Sequence, residues 1–287
     1  MPLIYDLHTH STASDGTTAP QELVQHAAHA GLDVLALTDH DTTEGLAEAA
    51  AEAAVLGLEF SPGVEISASW NGHVVHVIGL GIDPECQALQ DGLAELRCFR
   101  NWRAEEIGRR LDKVGISGAL EGAKAFSSGH LIGRCHFARF LVKNGHVEDE
   151  RKVFQRFLTR GNPGYVPGQW AELEDAVSWI CAAGGQAVIA HPARYPLTRT
   201  KLRRLLAEFI AAGGVGLEVV SGTHNRDEIF NMARHARELG LLASVGSDYH
   251  GPDNPWRKLG HLPPLPDGCV PIWHDWAVAH IASAATA

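Results

Sequence analysis

The chain has 287 residues, of which 45% are hydrophobic and 20% charged, an ordinary balance for a soluble globular enzyme. No apolar run is long enough to cross a bilayer, and no basic leader precedes the first apolar stretch, so neither a membrane span nor a signal peptide is expected. A net charge of −10 argues against general nucleic-acid binding, although the segment from Cys98 to Arg160 holds 13 Lys+Arg against 7 Asp+Glu, a local +6 that suggests contact with an anion.

Leu3 to Leu7 is a short apolar run that predicts a buried strand. It leads into His8 and His10, which share a strand face at i and i+2, and Asp15 follows. Imidazole with carboxylate suits zinc, manganese or iron better than calcium or magnesium. Thr17-Thr18-Ala19-Pro20 predicts a helix start with a hydroxyl cap and proline in the first turn. Leu23, Ala27 and Ala30 give that helix an apolar face, Gly31 ends it, and His26 and His29 ride on it as bystanders. Asp33 to Thr38 predicts a strand buried on both faces, with His40 just beyond its end. A helix over Thr42 to Gly57 precedes a third strand, Phe60 to Ile66, which carries Glu65. Asn71-Gly72 is a hairpin signal, and the returning strand is His73 to Gly79. His73 and His76 have opposite parity, so at most one of them faces a site.

From about Glu85 to Arg160 the alternation gives way to charged, helix-period stretches. Leu89, Leu93, Leu96, Trp102 and Ile107 form an imperfect helical stripe, and further helices are expected near Arg134 to Lys143 and Asp149 to Leu158. Gly161-Asn162-Pro163-Gly164 and Pro167-Gly168 break the chain. Alternation then resumes: helix Leu173 to Ala183, strand Gln186 to Ala190, helix Leu202 to Ala212, strand Val215 to Val220, helix Glu228 to Leu239, strand Leu241 to Gly246 and a last helix around Trp273 to Ile281. The five cysteines are scattered without a CxxC pair, which fits reduced thiols and a cytoplasmic protein.

Strands alternating with helices imply a parallel sheet whose C-terminal strand ends form one rim, where sites assemble. His8/His10, His40, Glu65, His191 and Asp248/His250 all fall at such ends, and His76 lies on the strand after Glu65. That placement favours a multinuclear metal site over scattered histidines.

The segments DLHTHSTASDG at the start, LALTDHD (Leu35 to Asp41), GVEIS (Gly63 to Ser67), VHVIGLGID (Val75 to Asp83), IAHP (Ile189 to Pro192) and GSDYH (Gly246 to His250) resemble, as a set, the PHP (polymerase and histidinol phosphatase) metallophosphoesterases. The resemblance implies an α/β fold, a distorted (β/α)7 barrel over 1–97 and 166–287, with a helical insertion over 98–165 serving as a substrate cap. It implies up to three divalent metals, Mn²⁺ first with Zn²⁺ or Fe²⁺ as alternatives. The implied ligands are His8, His10, Asp15, His40, Glu65, His76, His191, Asp248 and His250, with Glu65 bridging two metals, His76 pointing in and His73 out.

Within the family, Gly133 to Arg139, Gly161 to Val166 and Ser221 to His224 resemble the 3′,5′-nucleoside bisphosphate phosphatases, relatives of which trim short RNA from the 5′ end. Cys135 and Asn162 stand where that resemblance leads one to expect Thr and Lys. The activity expected is hydrolysis of the 3′-phosphate of a 3′,5′-bisphosphate nucleotide by a metal-bridging hydroxide. The alternatives are a 5′-3′ exoribonuclease on short RNA and a histidinol-phosphate-type phosphomonoesterase. Arg134 is the expected bidentate phosphate contact, with His136, Asn162, Tyr165, Ser221 and His224 as further substrate contacts and His224 as the acid for the leaving alcohol. No P-loop, GxGxxG or GxSxG motif offers a competing chemistry. The partner expected is a phosphorylated nucleotide or short RNA, with neither a membrane nor an obligate protein partner.

Overall fold

The computed structural model of the protein describes residues 3–127, 129, 131–253 and 257–276. The first strands and helices follow the apolar pattern, except that the expected buried strand Leu3 to Leu7 is reduced to two residues with Leu3 and Ile4 exposed: β1 (Tyr5–Asp6), α1 (Pro20–His29), β2 (Val34–Leu37), α2 (Leu46–Leu56), β3 (Glu59–Trp70) and β4 (His73–Leu80). Pro20 opens α1 as expected, but Ala19 is its N-cap and no side chain caps it. Thr18 is buried instead, so the hydroxyl cap read from the sequence is not made. The Asn71-Gly72 turn forms with φ of 50° and 75°, the left-handed pair that a two-residue hairpin requires.

After the excursion that begins in α3 (Gln87–Asp112), the chain returns through β5 (Ala171–Glu172), α7 (Leu173–Ala182), β6 (Gln186–Ile189), α8 (Arg199–Ala211), β7 (Gly216–Ser221), α9 (Arg226–Leu239) and β8 (Leu242–Gly246). The strands run in the order β1-β2-β3-β4-β6-β7-β8, with β5 pairing on β3. All pairs are parallel except β3–β4 and β4–β6, because the tight hairpin forces β4 to run backwards. Backbone bonds from Leu7 N to Val245 O (3.0 Å) and from Asp248 N to His8 O (2.9 Å) bring the two ends of the sheet together into a nearly closed barrel.

Strand alternation divides the side chains between two layers. Val34, Ala36, Ile78, Leu80 and Val188 pack inside the barrel with Leu7 and Ile272. Leu35, Leu37, Val75, Val77, Ala187 and Ile189 face outwards and meet the helices. On the inward parity, Gly63, Glu65 and Ser67 of β3 and His76 of β4 lie above that apolar floor.

The excursion has its own core. Leu89, Leu93 and Leu96 at the start of α3 belong to the main core, whereas Ala104, Ile107 and Leu111 further along it pack with residues up to Val166. Trp102 is 51% exposed and leaves the expected stripe. Helices α4 (Ala119–Lys124), α5 (Arg134–Lys143) and α6 (Glu150–Val153) complete this unit. The sequence reading missed α4, which is short and enters through Gly118 at φ 71°. The helix expected over Asp149 to Leu158 splits into α6 and a π-turn, Phe154–Leu158. The last helix lies largely outside the described residues.

Candidate metal centre and cleft

Glu65 is wholly buried and is the hub of the rim. Its Oε1 lies 2.9 Å from His76 Nδ1, 3.0 Å from His191 Nε2 and 3.4 Å from His8 Nε2. Its Oε2 lies 2.8 Å from His40 Nδ1 and 3.3 Å from His10 Nε2. Asp248 Oδ1 adds contacts of 3.6 Å to His8 and 3.4 Å to His10, and Asp15 Oδ1 approaches His250 Nε2 at 3.2 Å. The structure therefore brings together His8, His10, Asp15, His40, Glu65, His76, His191, Asp248 and His250 in overlapping groups whose donor atoms lie within 4.8 Å of one another. His73, on the other parity, stacks beside Trp70 instead.

The local backbone is bent to achieve this. Asp41, His191 and Asp248 have φ of 53°, 30° and 55°, a left-handed conformation that costs non-glycine residues about 1–3 kcal/mol each and recurs at functional sites. Gly246 is required by close approach: a Cβ there would lie 2.2 Å from the Cβ of His8.

The donor set fits divalent metal. His8 Nε2, His10 Nε2, Asp15 Oδ1, His40 Nδ1 and Glu65 Oε2 are buried without a hydrogen-bond partner, although several lie within 3.5 Å of one another. Buried polar atoms without partners are costly, and such crowding of lone pairs is relieved by cations at their centre. Burial, with His250 and His40 adding to it, lowers His10 to about 3. Burial also lowers His76 to about 4, against the pull of Glu65. Those two favour the neutral imidazole that binds metal, whereas against burial the neighbouring carboxylates raise His40 to about 9 and raise His8 and His250 as well, so that metal binding there would release protons. Glu65 is pushed up by burial but held well below its usual range by the combined pull of His40, His76 and His8.

Several supporting residues were not found from sequence. Glu218 is buried on β7, with Oε1 2.9 Å from His8 Nδ1 and Oε2 accepting the His191 N–H. A lone carboxylate inside the apolar run GLEVVS was the available signal. Arg194 and Arg257 donate to the outer oxygen of Asp248 at 2.8 and 3.0 Å. Ser11 and Ser14 hold Asp39 at 2.6 and 2.5 Å.

A cleft of about 590 Å³ opens over these donors, within the ~300–1,000 Å³ usual for small-molecule sites. Arg134 and Tyr165 line it, as do Arg100, Arg103, Arg139 and Trp170, which the sequence reading passed over. The remaining expected contacts lie elsewhere. His136 is 1% exposed, and its Nδ1 accepts the Gly133 N–H as part of a helix cap. Asn162 Nδ2 donates to Gln155 O and Thr159 Oγ1 within its own turn. Ser221 and His224 line a separate cavity with His261 and Lys258. His224 has its Nδ1 3.2 Å from Val219 O, and its Nε2 accepts the Ala193 N–H at 3.4 Å. Its Nδ1 proton is thus directed at a backbone carbonyl and its Nε2 lone pair at a backbone N–H, burial lowers its pKa, and it lines a different cavity from the donors, an arrangement that does not favour the acid role expected from sequence.

A model of the PHP domain matches residues 6–221. The chain is 52% identical over 271 residues to the 3′,5′-nucleoside bisphosphate phosphatase of Chromobacterium violaceum, covering 94% of this chain and 95% of that protein. It is 44% identical over 276 residues to the 5′-3′ exoribonuclease Rnm of Escherichia coli, covering 96% and 94%. Among solved structures it is similar to a Chromobacterium violaceum protein described as an amidohydrolase with bound sulfate and no metal, with a TM-score of 0.92, 50% identity and 96% of each chain covered.

Proposed function

The chain belongs to the PHP domain family, and on that premise we propose that it is a metal-dependent phosphoesterase that removes the 3′-phosphate of 3′,5′-bisphosphate nucleotides. The observation that carries the reading is one cleft lined both by His/Asp/Glu donors and by Arg134, which has no ion pair among the described residues. The donors suit the reacting phosphoryl group, and the arginine suits a second phosphate.

His8, His10, Asp15, His40, Glu65, His76, His191, Asp248 and His250 would hold up to three divalent ions, Mn²⁺ first. Bound there, they would supply an activated water and offset charge on the phosphoryl oxygens. The chain's own residues set the geometry. Glu218 orients His8, and Tyr195 accepts the His76 N–H at 2.8 Å and donates to Ala190 O at 2.9 Å. Arg194 and Arg257 hold Asp248 by its outer oxygen, which leaves Oδ1 facing the histidines. The segment 98–165 acts as the cap that brings Arg134 and Arg139 over the rim.

The second reading, 5′-3′ exonuclease action on short RNA, is favoured by the name of the relative from Escherichia coli. Phosphate release from adenosine 3′,5′-bisphosphate, compared with nucleotide release from 5′-phosphorylated oligoribonucleotides of increasing length, separates the two. Release from neither substrate in the presence of Mn²⁺ would sink both.

A further inference from the structure

The metal donors are not all held in the same way. His8 and His10 flank Thr9, which bridges to Tyr249, and Asp248 and His250 flank that same Tyr249. Backbone bonds from Asp248 N to His8 O (2.9 Å) and from His10 N to Tyr249 O (2.8 Å) lock the four together. His40 bridges to Glu65 on β3, His76 lies on β4, and His191 follows Ala190, whose N–H donates to His76 O at 3.1 Å. Pairing between strands therefore places all of these. Asp15 is different, because it stands on the loop between β1 and α1, five residues beyond His10. It belongs to one donor group, with His10, His40 and His250. There its Oδ1 lies 3.2 Å from His250 Nε2 and its Oδ2 lies 3.9 Å from His40 Nε2.

The loop is clamped from two sides. From the barrel, Asp39 accepts Ser11 N at 2.8 Å, Ser11 Oγ at 2.6 Å and Ser14 Oγ at 2.5 Å. From the cap, Arg139 of α5 donates through Nη2 to the Asp15 carbonyl at 2.7 Å. Among the described residues no other donor is bonded to that carbonyl. Gly129 meets the same loop, since a Cβ on it would lie 3.0 Å from Thr12 O and 3.1 Å from Ala13 O. On α5, Phe137, Ala138 and Leu141 beside Arg139 pack in the core of the cap with Ile107 and Leu111. The backbone of Arg139 is thus carried by the cap and its guanidinium by the loop that bears Asp15. A hydrogen bond from a charged donor is roughly twice as strong as a neutral one. Asp39 holds Ser11 and Ser14, so the last step to Asp15 depends on the bond from the cap.

We propose that Arg139 is a positioning residue for Asp15, and that through it the metal position shared by His10, Asp15, His40 and His250 binds tightly only with the cap seated, while the positions built on the sheet bind without it. This role presupposes the metal-centre reading and is independent of which phosphate ester is cleaved. Coupling of this kind is reciprocal, so an ion at that position also holds the cap down.

The test uses the full chain as wild type, as Arg139→Met, which keeps the stem and removes the donor, and as Arg139→Lys, which keeps a charged donor. Metal-free protein is titrated with Mn²⁺ by equilibrium dialysis, and bound metal is counted by elemental analysis. Arg139→Met is expected to bind one equivalent about 10- to 100-fold more weakly than wild type and the others as tightly, and Arg139→Lys to lose less. Hydrogen exchange over residues 134–143 reads the coupling in the other direction. Mn²⁺ should slow exchange there in wild type. That slowing should be lost in Arg139→Met and also in Asp15→Asn, which keeps the carbonyl but not the carboxylate. A loss spread equally over every equivalent, an unchanged titration of Arg139→Met, or slowing by Mn²⁺ that survives in Asp15→Asn overturns the positioning role. Wild-type protein that takes up no Mn²⁺ overturns the metal centre and this role with it, whereas full uptake by wild type and Arg139→Met alike removes the role of Arg139 alone.

Discussion

Glu218 Oε1 lies 2.9 Å from His8 Nδ1, and both side chains are wholly buried. A carboxylate can only accept there, so Nδ1 carries a proton and Nε2, which faces Glu65 and Asp248, is the nitrogen available to a metal. Such partners fix the orientation and raise the basicity of a metal-binding imidazole. Glu218→Gln should therefore weaken metal binding about 10- to 100-fold. Metal titration followed by elemental analysis reads this directly, and unchanged occupancy at limiting metal would leave Glu218 a packing residue.

The two histidines of β4 give a contrast on one strand. His76 faces Glu65, and His73 stacks beside Trp70 on the other face. His76→Gln should lose both metal and activity, whereas His73→Gln should stay near wild type in both. Equal losses would mean that the face assignment is wrong.

Chelation should abolish activity and lower the melting temperature together. Asp15, Glu65 and Asp248 are buried beside each other's histidine partners, and an ion that binds only the folded state stabilises it by mass action. Re-addition of Mn²⁺ should restore both quantities. Full activity in exhaustively dialysed protein free of metal would contradict the reading.

Arg100 ties the α3 helix to the rim through Asp41, which is 0% exposed and also accepts the Ser67 N–H at 2.7 Å. Arg100→Ala leaves that carboxylate buried and uncompensated, at a cost of about 3–5 kcal/mol. Urea unfolding is the measurement, and a change below ~1 kcal/mol would show that Asp41 finds another partner or is hydrated.

Cysteine reactivity follows environment. Burial, then Asp15, raises the Cys135 thiol well above its ordinary value, whereas Cys98 and Cys181 are exposed. The thiolate is the nucleophile, so a raised pKa means less of it at any pH below that pKa. At pH ~8, iodoacetamide should label Cys98 and Cys181 about tenfold faster than Cys135, as followed by peptide mass spectrometry. Cys135 labelling as fast as Cys98 would show that the thiol is neither shielded nor raised.

The sequence by itself carried the strand–helix alternation and the candidate metal donors at its strand ends, and its resemblance to a family supplied the barrel. Apolar runs of strand length, each ending in histidine or carboxylate, point to a parallel sheet with their polar ends on a common rim, and period-two parity put His73 and His76 on opposite faces, the family resemblance naming His76 as the inward one. Short-range signals of this kind survive in one dimension because they depend on neighbours along the chain. Only the tertiary structure decided the rest. Glu218 and His8 are 210 positions apart, and no spacing rule links them. His136 and His224 looked like free side chains, but Gly133 occupies Nδ1 of His136, and Val219 and Ala193 face both ring nitrogens of His224 with backbone groups. Arg103 looked like one charge among many on a basic helix, and the fold buried it without a partner. Whether a polar side chain is engaged or free depends on which groups surround it in space, and that is settled only when the chain has closed.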